Sequence, residues 1–162
     1  PYIELMLRNI EVGRRGDMET DPTYKQLISY VIIKNRANET LVYERLSGGG
    51  ENRLHGQSSV GVGGHMNPVE GLTGRELMDE NTYRELEEEI GVRPDNLELV
   101  GIVNDDTNDV GRVHIGLIYI ANIGDQTVNV TETDTLSVKF VRDLDDYEFE
   151  TWSQILRDAG VV

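Results

Sequence analysis

GGHMNPVEGLTGRELMDENTYRELEEEIGV, residues Gly63 to Val92, decides how this chain folds, because a Gly-Gly turn leads into a carboxylate-rich stretch with a helical rhythm. Tyr83, Leu86 and Ile90 recur at i, i+3 and i+7, and Gly91 stands where a helix stop belongs. The second half of the stretch is therefore expected to be one helix with one apolar face. At about 100° per residue, Glu88 falls about 60° to one side of Glu85 and Glu89 about 40° to the other. Three carboxylates share an arc, while Glu87 points about 160° from Glu85 and is expected in water.

Such an arc is locally unfavourable. Like charges at i, i+4 cost about 0.2 to 0.5 kcal/mol per pair, and carboxylates in a last helical turn oppose the helix dipole by about 0.3 to 1 kcal/mol each. Arg84 can offset part of this through Glu80 at i−4 and Glu88 at i+4. One guanidinium cannot neutralise the whole arc, whereas a hard divalent cation with oxygen ligands can. An acidic run alone also describes a solvated face on an acidic protein, so the surrounding pattern has to discriminate.

Arg84-Glu85-Leu86-Glu87-Glu88-Glu89-Ile90-Gly91-Val92 resembles the core of the Nudix box: Arg-Glu, an aliphatic, any residue, Glu-Glu, any residue, Gly, an aliphatic. Seven residues separate Glu76 from Arg84-Glu85, as the family has it. The chain departs at the opening glycine, for position 70 is Glu70 and the nearest Gly-Gly pair is Gly63-Gly64. We read the departure as a longer loop, His65 to Arg75, bent at Pro68, Gly71 and Gly74, bulging outward and forming part of a substrate wall.

The resemblance implies an α+β Nudix fold, a mixed sheet sandwiched between helices, and a hydrolase that cleaves a diphosphate linkage with Mg²⁺ or Mn²⁺. By the same resemblance Glu85, Glu88, Glu89 and the Gly64 carbonyl hold the cation and Arg84 orients the carboxylates. The base is Glu85 or a carboxylate outside the box, and Glu132 is the residue to test. Two rivals share the fold. Isopentenyl diphosphate isomerase has a Gly-His element like Gly64-His65 but uses a catalytic cysteine, and this chain has no cysteine. A non-catalytic nucleotide-binding module commonly loses box carboxylates, and here all three are present.

The 162 residues, 38% hydrophobic, suit a single domain, residues 1–162. A net charge of −15 argues against gripping a nucleic-acid polymer or an anionic membrane, which requires clustered Lys and Arg. The expected partner is a phosphorylated small molecule, and the oligomeric state, homodimer included, is open. No apolar run approaches a membrane span or a signal-peptide core, so a cytoplasmic enzyme is the default expectation. Residues 1–23 are weakly patterned, and a start at Pro1 reads as processed or trimmed.

Gln26 to Lys34 and Thr40 to Leu46 are expected to form a strand hairpin. Asn96 to Asn104, Val113 to Ile123, Thr127 to Val130 and Leu136 to Arg142 read as further strands, and Tyr147 to Ala159 as a closing helix. Arg45 and Arg53 flank the glycine run of the segment Ser47 to Gln57 and could clamp phosphate, as could His65 after the Gly pair. His114, alternating within a strand, reads as structural. Trp152, in register with Phe149 and Leu156, reads as core.

Overall fold

The computed structural model describes residues 1–45, 57–130 and 136–162. In chain order it has α1 (Tyr2–Arg8), α2 (Arg15–Met18), β1 (Gln26–Lys34), β2 (Thr40–Arg45), β3 (Ser58–Ser59), β4 (Gly61–Val62), α3 (Gly74–Ile90), β5 (Glu98–Val103), α4 (Asp109–Arg112), β6 (His114–Asn122), β7 (Leu136–Val141) and α5 (Thr151–Asp158).

The strands build one mixed sheet ordered β3-β2-β1-β6-β5, with β4 also on β1 and β7 on β2. β1 and β6 run parallel from Gln26↔His114 to Lys34↔Asn122, and every other pairing is antiparallel. The β1–β2 hairpin touches only near its turn, at Lys34↔Thr40, after which β2 leaves to pair with β7.

Near-continuous apolar sequence in β1 and β6 is explained by burial on both faces. Val31 and Ile33 of β1 with Leu117, Tyr119 and Ala121 of β6 face Met78, Leu86 and Ile90 of α3, where Met6, Leu7 and Ile10 also pack. The alternate residues Tyr30, Ile32 and Ile118 meet Leu156 and Trp152 of α5 on the opposite side. The result is the expected α+β architecture, a mixed sheet between helices.

α3 ends as the sequence predicts, with Gly91 left-handed at φ 68 and its N–H donating to the Glu87 carbonyl. Two expectations are corrected. Thr127 to Val130 is not a strand. The last helix starts at Thr151 rather than Tyr147, because Glu150 caps it by accepting from the Trp152 and Ser153 N–H groups. Phe149, despite its helical spacing, forms a bridge with Ser58.

Candidate active site

Two groups of side chains meet at the Gly63-Gly64 turn, one from α3 and one from the sheet. On α3, Glu85 is buried, and Arg84 Nη1 lies 2.8 Å from its Oε1 and 3.2 Å from Glu88 Oε2. Arg84 Nη2 donates to the His65 carbonyl at 3.0 Å and to Asn81 Oδ1 at 3.0 Å. A planar guanidinium fork suits this fourfold task, so one residue ties two arc carboxylates to the backbone beside the turn. The expected pairing of Arg84 with Glu80 is not formed. Glu80 faces Arg93, whose guanidinium also pairs with Glu87 at 2.8 Å and stacks on the Tyr83 ring.

The arc itself is graded. Glu85 is buried, Glu89 half-buried and Glu88 exposed, and Glu87 is exposed on the Arg93 side as its helical phase requires. Gly64 meets the buried end: a Cβ there would fall 2.6 Å from Glu85 Oε2, so any side chain at this position would displace the Glu85 carboxylate. The Gly64 carbonyl accepts from the Ser29 N–H at 2.9 Å and, at a long 3.4 Å, from the Ser29 hydroxyl, a rotatable donor that can turn away from the carbonyl's second lone pair.

The long loop after Gly64 is pinned rather than loose. Asn81, buried in α3, accepts from the Asn67 N–H and donates to the Asn67 carbonyl, each at 2.8 Å. Residues 68–71 project into solvent as expected, but of this loop only His65 reaches the adjoining cleft.

That cleft, of about 810 Å³, opens on the α5 side of the turn and is bordered by Arg15, Tyr30, Tyr43, His65, His114 and Trp152 among others. Its floor is the Tyr30 phenol, 2.5 Å from both Glu150 Oε1 and Ser153 Oγ. Burial first, and then the Glu150 charge, push the Tyr30 pKa well up. Trp152 is half-buried, edge-on to Tyr30 with ring centroids 5.6 Å apart. It is thus a cleft wall as well as a core residue.

His65 and His114 are also close, with Nε2 atoms 3.3 Å apart. His114 Nδ1 sits 2.7 Å from the Val110 carbonyl, and since a carbonyl only accepts, this nitrogen carries the proton of the neutral ring. Burial, reinforced by Arg15 and His114, lowers the His65 pKa to about 4. Glu19, just after α2, completes the group with Oε1 4.0 Å from His65 Nε2.

Of the residues singled out in the sequence, Gly64, Arg84, Glu85 and Glu88 come together with His65 beside them, and Glu89 is half-buried one turn on from Glu85 in α3. Arg53 and Glu132 lie outside the described residues. Arg45 ends β2, with its side chain outside them too. Arg15, Glu19 and His114 were missed as site residues. His114 carries a signal only as a polar residue opening an apolar strand, and Glu19 carries none.

No family model matches the chain. It is 45% identical over 157 residues to Protein YmaB of Bacillus subtilis (strain 168), taking in 90% of this chain and 75% of that protein. Among solved structures, the candidate Nudix hydrolase Tm1382 matches with TM-score 0.80 and 29% identity, over 99% of this chain and 82% of that one. The MutT Nudix hydrolase from Burkholderia pseudomallei matches with TM-score 0.64 and 18% identity, over 83% and 96% of the two chains. The Nudix domain of Shewanella oneidensis NrtR, complexed with ADP ribose, gives TM-score 0.64 and 16% identity over 98% and 96%. The last two show the fold alone. With that fold in place and Arg84, Glu85 and Glu88 of the box paired beside the Gly-Gly turn, the chain belongs to the Nudix hydrolase family and is a Nudix-type hydrolase.

Proposed function

We propose that this hydrolase is a metal-dependent pyrophosphohydrolase that cleaves the diphosphate linkage of a nucleoside diphosphate derivative or a related phosphorylated small molecule. The observation that carries the reading is Glu85, a carboxylate buried at the seam between α3 and the Gly63-Gly64 turn and held there by Arg84. Glu88 and Glu89 flank it on the same arc, so the donor set is all hard oxygen, which suits Mg²⁺ or Mn²⁺. Gly64 fits as well, since only an absent side chain lets its backbone approach the Glu85 carboxylate.

In this reading Glu85, Glu88, Glu89 and the Gly64 carbonyl hold the cation. A bound Mg²⁺ or Mn²⁺ supplies Lewis acidity that offsets phosphate charge and activates water for attack on phosphorus. Arg84 fixes the carboxylate rotamers by pairing with two of them at once. The proton of the attacking water goes to Glu85 or to a carboxylate outside the box, with Glu132 the one to test. Arg45, Arg53 and His65 contact the substrate phosphates, and His65, neutral at pH 7, does so as a hydrogen-bonding group rather than as a charge.

The test is product release from a panel of nucleoside diphosphate derivatives, ADP-ribose included, by chelator-treated protein before and after Mg²⁺ or Mn²⁺ is restored. Phosphate or monophosphate products are expected only with metal. Turnover that survives chelation would sink the reading, and the product pattern identifies the linkage cut.

A further inference from the structure

We propose that His65, His114 and Glu19 form a second metal site, distinct from the glutamate arc of α3, which takes a borderline-soft divalent cation such as Zn²⁺. The ligand atoms of the three residues all lie within 4.8 Å of one another. A tetrahedral ion about 2.0 to 2.1 Å from each nitrogen spaces its ligands about 3.3 Å apart, and the two imidazole Nε2 atoms stand 3.3 Å apart. Glu19 Oε1 lies 4.0 Å from His65 Nε2, and its side chain, 41% exposed, reaches an ion there by a small rotation that releases Arg15.

The surroundings are those of a metal-binding imidazole. His114 donates Nδ1–H to the Val110 carbonyl, leaving the Nε2 lone pair aimed at His65, which is the outer contact that orients ligating histidines. His114 is itself held at the start of β6 by its register with Gln26. The Gln26 amide nitrogen lies 3.3 Å from His114 Nε2, and turning that amide over presents an oxygen to the same point.

Two nitrogens and one carboxylate differ in kind from the all-oxygen set on α3: imidazole favours Zn²⁺ and its neighbours, whereas carboxylate and carbonyl favour Mg²⁺. Three protein ligands also leave a coordination position open, and all three residues border the cleft. Arg15 opposes a cation, being 3.1 Å from Glu19 Oε1, but its side chain is 67% exposed and can swing away. It holds the Glu19 carboxylate when no ion is bound. His65 joins the two sites, its carbonyl bound by Arg84 and its ring turned to His114.

The experiment is titration of the chelator-treated full chain with Zn²⁺ in the presence of excess Mg²⁺, which occupies the carboxylate arc. It is followed by calorimetry and, with Co²⁺ as a coloured substitute, by visible absorption. One equivalent should bind, with an absorption spectrum of mixed nitrogen and oxygen ligation. Affinity should fall at least tenfold in Glu19→Gln and in His114→Asn, and stay within about twofold in Glu89→Gln. Glu19→Gln is a surface change, so its result stands even if His114→Asn fails to fold. No stoichiometric Zn²⁺ binding, or binding lost in Glu89→Gln and untouched by Glu19→Gln, overturns the proposal. Neither result bears on whether the carboxylate arc supports Mg²⁺-dependent hydrolysis, which is read separately by product release.

Discussion

Glu87, Glu88 and Glu89 are consecutive and chemically identical, yet they face different surroundings. Glu87 points to Arg93, and Glu88 shares Arg84 with Glu85. Glu87→Gln is therefore expected to keep turnover nearly intact, while Glu88→Gln and Glu89→Gln lower it about tenfold to a hundredfold or more. Steady-state kinetics check this, and equal losses at all three positions would contradict the facing. At Gly64 the smallest side chain is too large. Gly64→Ala should push the Glu85 carboxylate off its Arg84 pairing, so activity falls at least tenfold while circular dichroism stays native. The facing of the glutamates was legible in the sequence, because helical phase follows from spacing alone, whereas Gly64 was placed beside them only by the family resemblance. The meeting of His65 with His114 was not, since 49 positions separate them and only strand pairing brings them together.

β1 and β6 fall where their apolar runs placed them, and α3 stops at the expected glycine. Misreadings arose where a long-range contact outranks local spacing. Phe149 has the period of a helix residue, but its backbone is taken by the bridge to Ser58 and the helix begins one cap later. The segment 127–130 has strand-like composition, yet the Asn129 N–H donates to the Ile90 carbonyl at the end of α3 instead of to a strand. At this scale Asn81 is the contact to break. Asn81→Leu leaves the Asn67 N–H and carbonyl without their partner in α3. It is expected to cost about 1 to 3 kcal/mol. Denaturant unfolding measures it, and an unchanged midpoint would mean that water replaces the Asn81 amide fully.

The whole molecule is acidic, but its acid sensitivity below neutrality has an identifiable contribution from His65. The folded pKa of His65 is about 4, against about 6.5 in an unfolded chain. Between these values the unfolded chain binds more protons, so this stability is fully present above about pH 6.5 and is lost as pH falls toward 4. In metal-free protein, the unfolding midpoint should drop between pH 7 and pH 5, and His65→Gln should flatten that drop. The order of the chain's elements was legible at this scale, whereas the α2 end of the weakly patterned N-terminal segment, which lends Glu19 to the cleft, was not.

β1 gives these parts a common ruler. Val31 is in register with Val62, Ile28 bridges His65, and Gln26 lies opposite His114. The long loop is held at its start, His65 by Ile28 and Asn67 by Asn81, and re-enters the fold at α3, which is fixed independently by Leu86 and Ile90 in the core. Length can therefore be added or removed between Pro68 and Thr73 without changing the span from the Gly-Gly turn to Glu85. A spacing that departs from the box in sequence need be no departure in space.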